Sequence, residues 1–262
     1  MEDEKKNEIV KKEETKLAKP TLDLPESIAD FGVEDLRLSS MFICQDQSNK
    51  ARDIGVKPGN FYDNVTMEET KELDTILVYC FTTRILYGDN VGDALRCYSQ
   101  DGKIPSAPNP VNYNCINCEE NIKPNNKIQK GESRYGKCNR TFNFACILPN
   151  IELGSEKDFP FILPMQRSNA TTAKNIINLA FRKRQELYAV TRQFRTKETK
   201  GERGRYYSLD FIEIGKTEND DIERAKYWLK FMKQMIMAQK LIVTGDLAEK
   251  DLASVKDGDI PF

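Results

Sequence analysis

Apolar positions recur along the chain at two periods. Leu38 to Cys44 is apolar enough for a core strand, and Lys57-Pro58-Gly59-Asn60 reads as a turn. The strongest strand signal covers Asp74 to Tyr87, β-branched and aromatic through Thr75-Ile76-Leu77-Val78-Tyr79-Cys80-Phe81. Thr141–Leu148 and Phe159–Met165 predict two more strands, with Pro149-Asn150 and Phe159-Pro160 as punctuation. The period then changes. Ala173, Ile176, Ile177 and Ala180 make one face of a helix over Ala170–Glu186, with Ser168-Asn169 as its cap. Leu187–Phe194 and Arg205–Ile214 alternate again as strands, joined by a polar loop from Thr196 to Gly204 that is long enough to be mobile. A last helix is predicted from residue 219 to about 242, with a broad apolar stripe through Ile222, Ala225, Tyr227, Trp228, Leu229, Phe231, Met232, Met235 and Ile236. Short strands with one internal and one C-terminal helix predict a β-rich α+β fold, and an OB-like β-barrel is preferred among small barrels.

Charge divides the 262 residues into three parts. Residues 1–27 alternate Lys and Glu blocks and read as a flexible arm. Residues 28–245 carry the apolar pattern. From 246 to 262 the acids Asp246, Glu249, Asp251, Asp257 and Asp259 face only Lys250 and Lys256, which predicts a disordered acidic tail. The formal net charge is −1, so no global positive field draws the chain to nucleic acid and any basic surface must be local. No apolar run approaches the ~20 residues of a membrane span, and Met1-Glu2-Asp3-Glu4-Lys5-Lys6 lacks an apolar signal core, so a cytoplasmic protein with no membrane partner is expected.

The chain contains no histidine, which excludes Ser-His-Asp and Cys-His catalysis and any His-containing zinc site. It contains seven cysteines, four of them spaced C-x17-C-x2-C-x19-C as Cys97, Cys115, Cys118 and Cys138. A C-x2-C knuckle presents two thiolates to one tetrahedral ion, and two more cysteines from neighbouring loops would complete a four-thiolate structural zinc site, the reading preferred over reduced cysteines or a redox pair. The surrounding stretch, about 95–140, is loop-rich and has almost no core of its own, so bound zinc would supply folding energy as a ribbon-like insertion. Cys146 is the rival fourth ligand, but it sits in a strand pattern, and so do Cys44 and Cys80. All three are expected in the core. Four thiolates leave no open position, so catalytic zinc is not expected.

Positive charge concentrates between residues 181 and 205, where nine basic residues face the three acids Glu186, Glu198 and Glu202. Phe181, Tyr188, Phe194, Tyr206 and Tyr207 are interleaved with them. Cations that neutralise phosphates beside rings that stack on bases are what sequence-tolerant single-strand binding requires. The candidate contacts are Arg182, Lys183, Arg184, Tyr188, Arg192, Phe194, Arg195, Arg205 and Tyr207, with Tyr79, Phe81 and Arg84 on the long strand and Arg167 and Lys174 at the start of the internal helix. Alternation puts Tyr188, Val190, Arg192 and Phe194 on one strand face and Ala189, Thr191, Gln193 and Arg195 on the other. Neither face is cleanly apolar.

The chain ends in Asp257-Gly258-Asp259-Ile260-Pro261-Phe262, two apolar anchors and a stiff proline among acids. These six residues resemble the acidic Asp-Asp-Asp-Ile-Pro-Phe tip of bacterial single-stranded DNA-binding proteins, with Gly258 in place of one acid. The run Cys97-x-Ser99-x-Asp101-Gly102, Cys115-x2-Cys118 and Cys138 resembles a group of tailed-phage proteins taken to bind single-stranded DNA, over roughly residues 57 to 195. Together these resemblances imply a non-enzymatic protein that coats single-stranded DNA during phage replication or recombination in the host cytoplasm. They also imply that it recruits replication and recombination proteins through Asp257, Asp259, Ile260, Pro261 and Phe262. Two other classes stay open: a metal-dependent nuclease or recombinase, for which Asp210 and Glu213 are the nearby acids, and a zinc-ribbon adaptor that binds protein. The Met-rich last helix could pack on its own domain or on a second copy in a homo-oligomer.

Overall fold

The computed structural model describes residues 38–46, 55–87, 95–105, 114–121, 138–201 and 204–237. The expected charged arm and acidic tail lie outside the described residues, as does much of the 95–140 insertion. Within them the fold is β-rich α+β, built from antiparallel sheets and two helices.

β1 (Met41–Ile43), β2 (Phe61–Asp63) and β3 (Glu69–Thr70) form a small sheet. The main sheet is organised on β4 (Glu72–Tyr87), the segment richest in β-branched and aromatic residues. One edge of β4 pairs with β6 (Asn139–Ile147), which pairs in turn with β7 (Phe161–Gln166). The other edge pairs with β8 (Val190–Gly201) along Glu72–Ile76 and with β5 (Leu95–Ser99) along Arg84–Tyr87. β8 pairs with β9 (Gly204–Lys216), giving the order β7-β6-β4-β8-β9. β7 and β9 are opposite ends of that order, so the closed barrel expected from the sequence is not found among the described residues.

Each face of the sheet buries one helix. Helix α1 (Ala170–Lys183) lays Ala173 and Ile176 against a cluster of Leu73, Leu77, Phe142, Phe144, Leu163, Met165, Phe194 and Leu209, which Phe61 of the small sheet completes. Helix α2 (Asn219–Met237) lays Ala225, Trp228, Phe231, Met232 and Met235 against Ile76, Val78, Phe81, Ala145, Ile147 and Ile162. The alternation of β4, β6 and β7 divides their side chains between these clusters.

Two expectations change. Leu187–Ala189 is a 3₁₀ turn and the strand starts at Val190. The expected polar loop from Thr196 to Gly204 is largely strand, because β8 and β9 stay in register from Arg195↔Asp210 to Gly201↔Gly204. Backbone pairing and Thr199 against Ser208 carry the hairpin where apolar alternation has stopped. Asn169 does sit at the start of α1, but its side chain makes no capping bond; its Oδ1 accepts from the Leu209 amide at 2.8 Å.

Candidate nucleic-acid interface and thiolate pocket

Helix α1 contains no acidic residue. Its stripe faces the sheet, which turns Lys174, Asn178 and Phe181, at i, i+4 and i+7, towards solvent as one row. Phe181 is 82 % exposed. Arg182 and Lys183 follow it, and Arg184 ends the helix. Arg167 precedes the helix. Arg167, Lys174, Arg182 and Arg184 are exposed and form no ion pair among the described residues. Over the ~20 Å of such a helix an accessible ring therefore stands among uncompensated cations. Lys183 differs, because it pairs with Glu213. That hydrogen bond is the main reason the Glu213 carboxyl sits below the usual range.

The remaining candidates divide. Arg195 and Arg205 are exposed, Arg195 paired with Glu72 at 3.1 Å and Arg205 with Asp46 at 3.3 Å. Along the hairpin Lys197 is exposed on the face of Arg195, away from α1, and Lys200 on the face of Arg205, towards α1. Tyr207 is half-buried with its ring on Gly59, where a Cβ would lie 2.8 Å from it, while Gln45 holds its backbone. Tyr188 packs beside α2.

Four candidate contacts are corrected by burial. Phe194 is 0 % exposed and packs against Phe211 within the α1 cluster, the rings tilted at 38°. Arg192 is 2 % exposed and donates to the Leu187 and Val190 carbonyls and to Glu213. Phe81 packs under α2, with Tyr79 half-buried beside it. Arg84 is 7 % exposed and belongs to the thiolate pocket. Strand alternation separates two faces, and only the docking of a helix on each decides which residues meet solvent. Phe181, absent from the candidate list, carries the reverse lesson. It lies just off the Ala173–Ile176–Ala180 stripe, and that offset was the available signal.

The four spaced cysteines do come together. Cys97, Cys115, Cys118 and Cys138 line one small pocket with Arg84, Leu86 and Tyr98. Cys97 reaches it from β5, opposite Leu86. The Cys115 amide donates to the Lys103 carbonyl at 2.8 Å, and the Cys138 amide to the Glu120 carbonyl at 3.1 Å. Burial pushes the Cys138 thiol up to about 11; Arg84 opposes that rise, and Cys115 and Cys118 add to it. Among the described residues, no three or more potential ligands are gathered at metal-binding distances as the side chains stand. The four thiols nevertheless line one pocket. Four soft sulfur donors, from β5, one C-x2-C knuckle and the residue before β6, without histidine or carboxylate, match the donor set of a structural zinc site. The other three cysteines are core residues: Cys44 and Cys146 are buried, and burial raises the Cys80 thiol to about 12.

Asp210 and Glu213, the acids of the nuclease alternative, sit on opposite faces of β9, with Glu213 held by Arg192 and Lys183. No helix among the described residues is long and apolar enough to cross a membrane. Residues 246–262, including Asp257, Asp259, Ile260, Pro261 and Phe262, lie outside the described residues. No family model, curated protein or solved structure matches the chain.

Proposed function

We propose that the protein binds single-stranded DNA without catalysing a reaction on it, through the exposed side of α1 and the neighbouring β8–β9 hairpin. The observation that carries this reading is Phe181, 82 % exposed among Lys174, Arg182 and Arg184, on a helix without a single acid. A fully exposed phenylalanine adds nothing to a core, whereas a ring beside cations suits the stacked, sequence-tolerant grip on an unpaired strand. Lys200 and Arg205, on the α1 side of the hairpin, extend the phosphate track. A structural zinc on Cys97, Cys115, Cys118 and Cys138 would hold the insertion in shape. The terminal Ile260-Pro261-Phe262, by its resemblance to the bacterial tip, would recruit replication or recombination proteins. An OB-like origin for the sheet belongs to this reading and not to the observed strand order. The nuclease alternative is disfavoured because Asp210 and Glu213 cannot share an ion across a strand.

Fluorescence titration with poly-dT at two salt concentrations, against a duplex of equal length, tests the reading. Single strands are expected to bind more tightly, with affinity falling as salt rises. Phe181→Ala should weaken poly-dT binding by about 1–3 kcal/mol with the melting temperature unchanged. Equal affinity for duplex and single strand would overturn the proposal.

A further inference from the structure

Arg84 occupies a position where an arginine needs a reason. It lies in β4 directly opposite Ser99 on one side and Arg140 on the other. A buried guanidinium is unfavourable without anionic or hydrogen-bonding partners, and two arginines in direct cross-strand register repel. Arg140 relieves part of this by lying over the Phe142 ring, 4.6 Å from its centroid. Arg84 instead turns into the thiolate pocket. Its Nε donates to the Gly102 carbonyl at 2.9 Å, and it lines the same small pocket as Cys138.

The carbonyl that Arg84 grips is itself held in place. Asp101 Oδ1 accepts from the Lys103 amide at 2.7 Å and from the Ile104 amide at 2.8 Å, and Ser99 Oγ lies 2.6 Å from the Ile104 carbonyl. Gly102 has φ +69°, and a Cβ there would lie 2.4 Å from Thr82 Oγ1, so only glycine lets the turn close onto β4. Lys103, the next residue, accepts the Cys115 amide. The turn thus links Arg84 to the first cysteine of the C-x2-C knuckle, while Arg84 shares the pocket with Cys138.

We propose that Arg84 is the positioning residue of the thiolate pocket, orienting Cys138 and the 101–104 turn and supplying positive charge beside sulfurs that zinc holds as thiolates. This rests on reading the pocket as a zinc site. A zinc bound by four thiolates carries a net charge of two minus, and a buried cation lining the same pocket lowers the energy of that centre.

The test uses the full chain and zinc itself. Zinc content is measured on wild-type protein, and zinc transfer to the chromophoric chelator 4-(2-pyridylazo)resorcinol is timed for wild type, Arg84→Gln, Arg84→Lys and Arg140→Gln. Cobalt substitution supplies the thiolate charge-transfer band as a second readout. Arg84→Gln should release zinc about tenfold faster or more and shift the cobalt band, as loss of an outer-shell partner does. Arg84→Lys, which keeps the charge but not the planar fork, should fall between it and wild type. Arg140→Gln, on the same sheet face, should transfer zinc at the wild-type rate. Wild-type transfer by Arg84→Gln overturns the proposal, as does equal acceleration by Arg140→Gln. If Arg84→Gln does not fold, wild-type behaviour of Arg84→Lys overturns it. Wild-type protein with neither zinc nor cobalt would overturn the zinc reading of the pocket itself, an outcome visible before any variant is made.

Discussion

Arg184 ends α1 at φ 49°, in the left-handed region where glycine is the usual occupant, while its amide bonds back to the Ala180 and Phe181 carbonyls. An L-residue there costs about 1 kcal/mol over glycine. Arg167, at φ 50° before the same helix, is the mirror case. Both ends of α1 thus keep an exposed arginine in strained backbone, as expected where the side chain is wanted for binding. Arg184→Gly should raise the melting temperature, weaken poly-dT binding and reduce the salt slope by about one. A stabilised variant with unchanged DNA affinity would mean Arg184 is outside the interface. What could be read at this scale depended on locality. The cysteine spacing pointed to one pocket because a C-x2-C knuckle is settled within four residues. Arg192 and Phe194 are not placed by alternation, because their exposure depends on which sheet face α1, the helix just before β8, docks on.

At the scale of the element, the β8–β9 hairpin outruns what alternation predicts, and its outer edge is handled by side chains. An unpaired strand edge is a template for pairing with another chain. On β9 the Tyr207 amide and carbonyl are taken by the Gln45 carboxamide at 2.8 and 2.9 Å. At Leu209 the Asn169 carboxamide accepts the amide and the Thr172 hydroxyl donates to the carbonyl at 3.0 Å. Two polar side chains and a hydroxyl thus stand in for a neighbouring strand. The double variant Gln45→Ala with Asn169→Ala should leave these groups unsatisfied, lower stability by about 1–3 kcal/mol and form higher-mass species on size-exclusion chromatography. A monodisperse variant of wild-type stability would show that the caps are dispensable. None of this was visible in the sequence, since Gln45 and Tyr207 are 162 residues apart. The long strands and both helices were visible, because period and length are local properties.

Across the whole molecule, one sheet separates two apolar layers, and each helix needs its own fastening. α1 is held by β9. α2 is held by a buried charge cluster: Arg224 bonds Asp158 at 3.1 Å, pairs with Asp221 and donates to the Leu148 carbonyl, while Trp228 Nε1 donates to Asp158 at 3.0 Å. The helix is thereby tied to the connection between β6 and β7. Arg224→Met leaves two buried carboxylates without their cation and should lower stability by about 3–5 kcal/mol in urea denaturation. A loss under about 1 kcal/mol would mean the apolar face of α2 suffices alone. The strand between these layers also imposes an order on assembly. The partners of the C-terminal half of β4, β5 and β6, are next in the chain, whereas Asp74 meets Gln193, 119 residues away. As the chain leaves the ribosome, the cysteine-bearing end can therefore organise first, and Glu72–Ile76 must wait for β8. Until then the first five residues of the longest strand leave an open edge, so the nascent protein is most vulnerable to aggregation just before its basic hairpin is made.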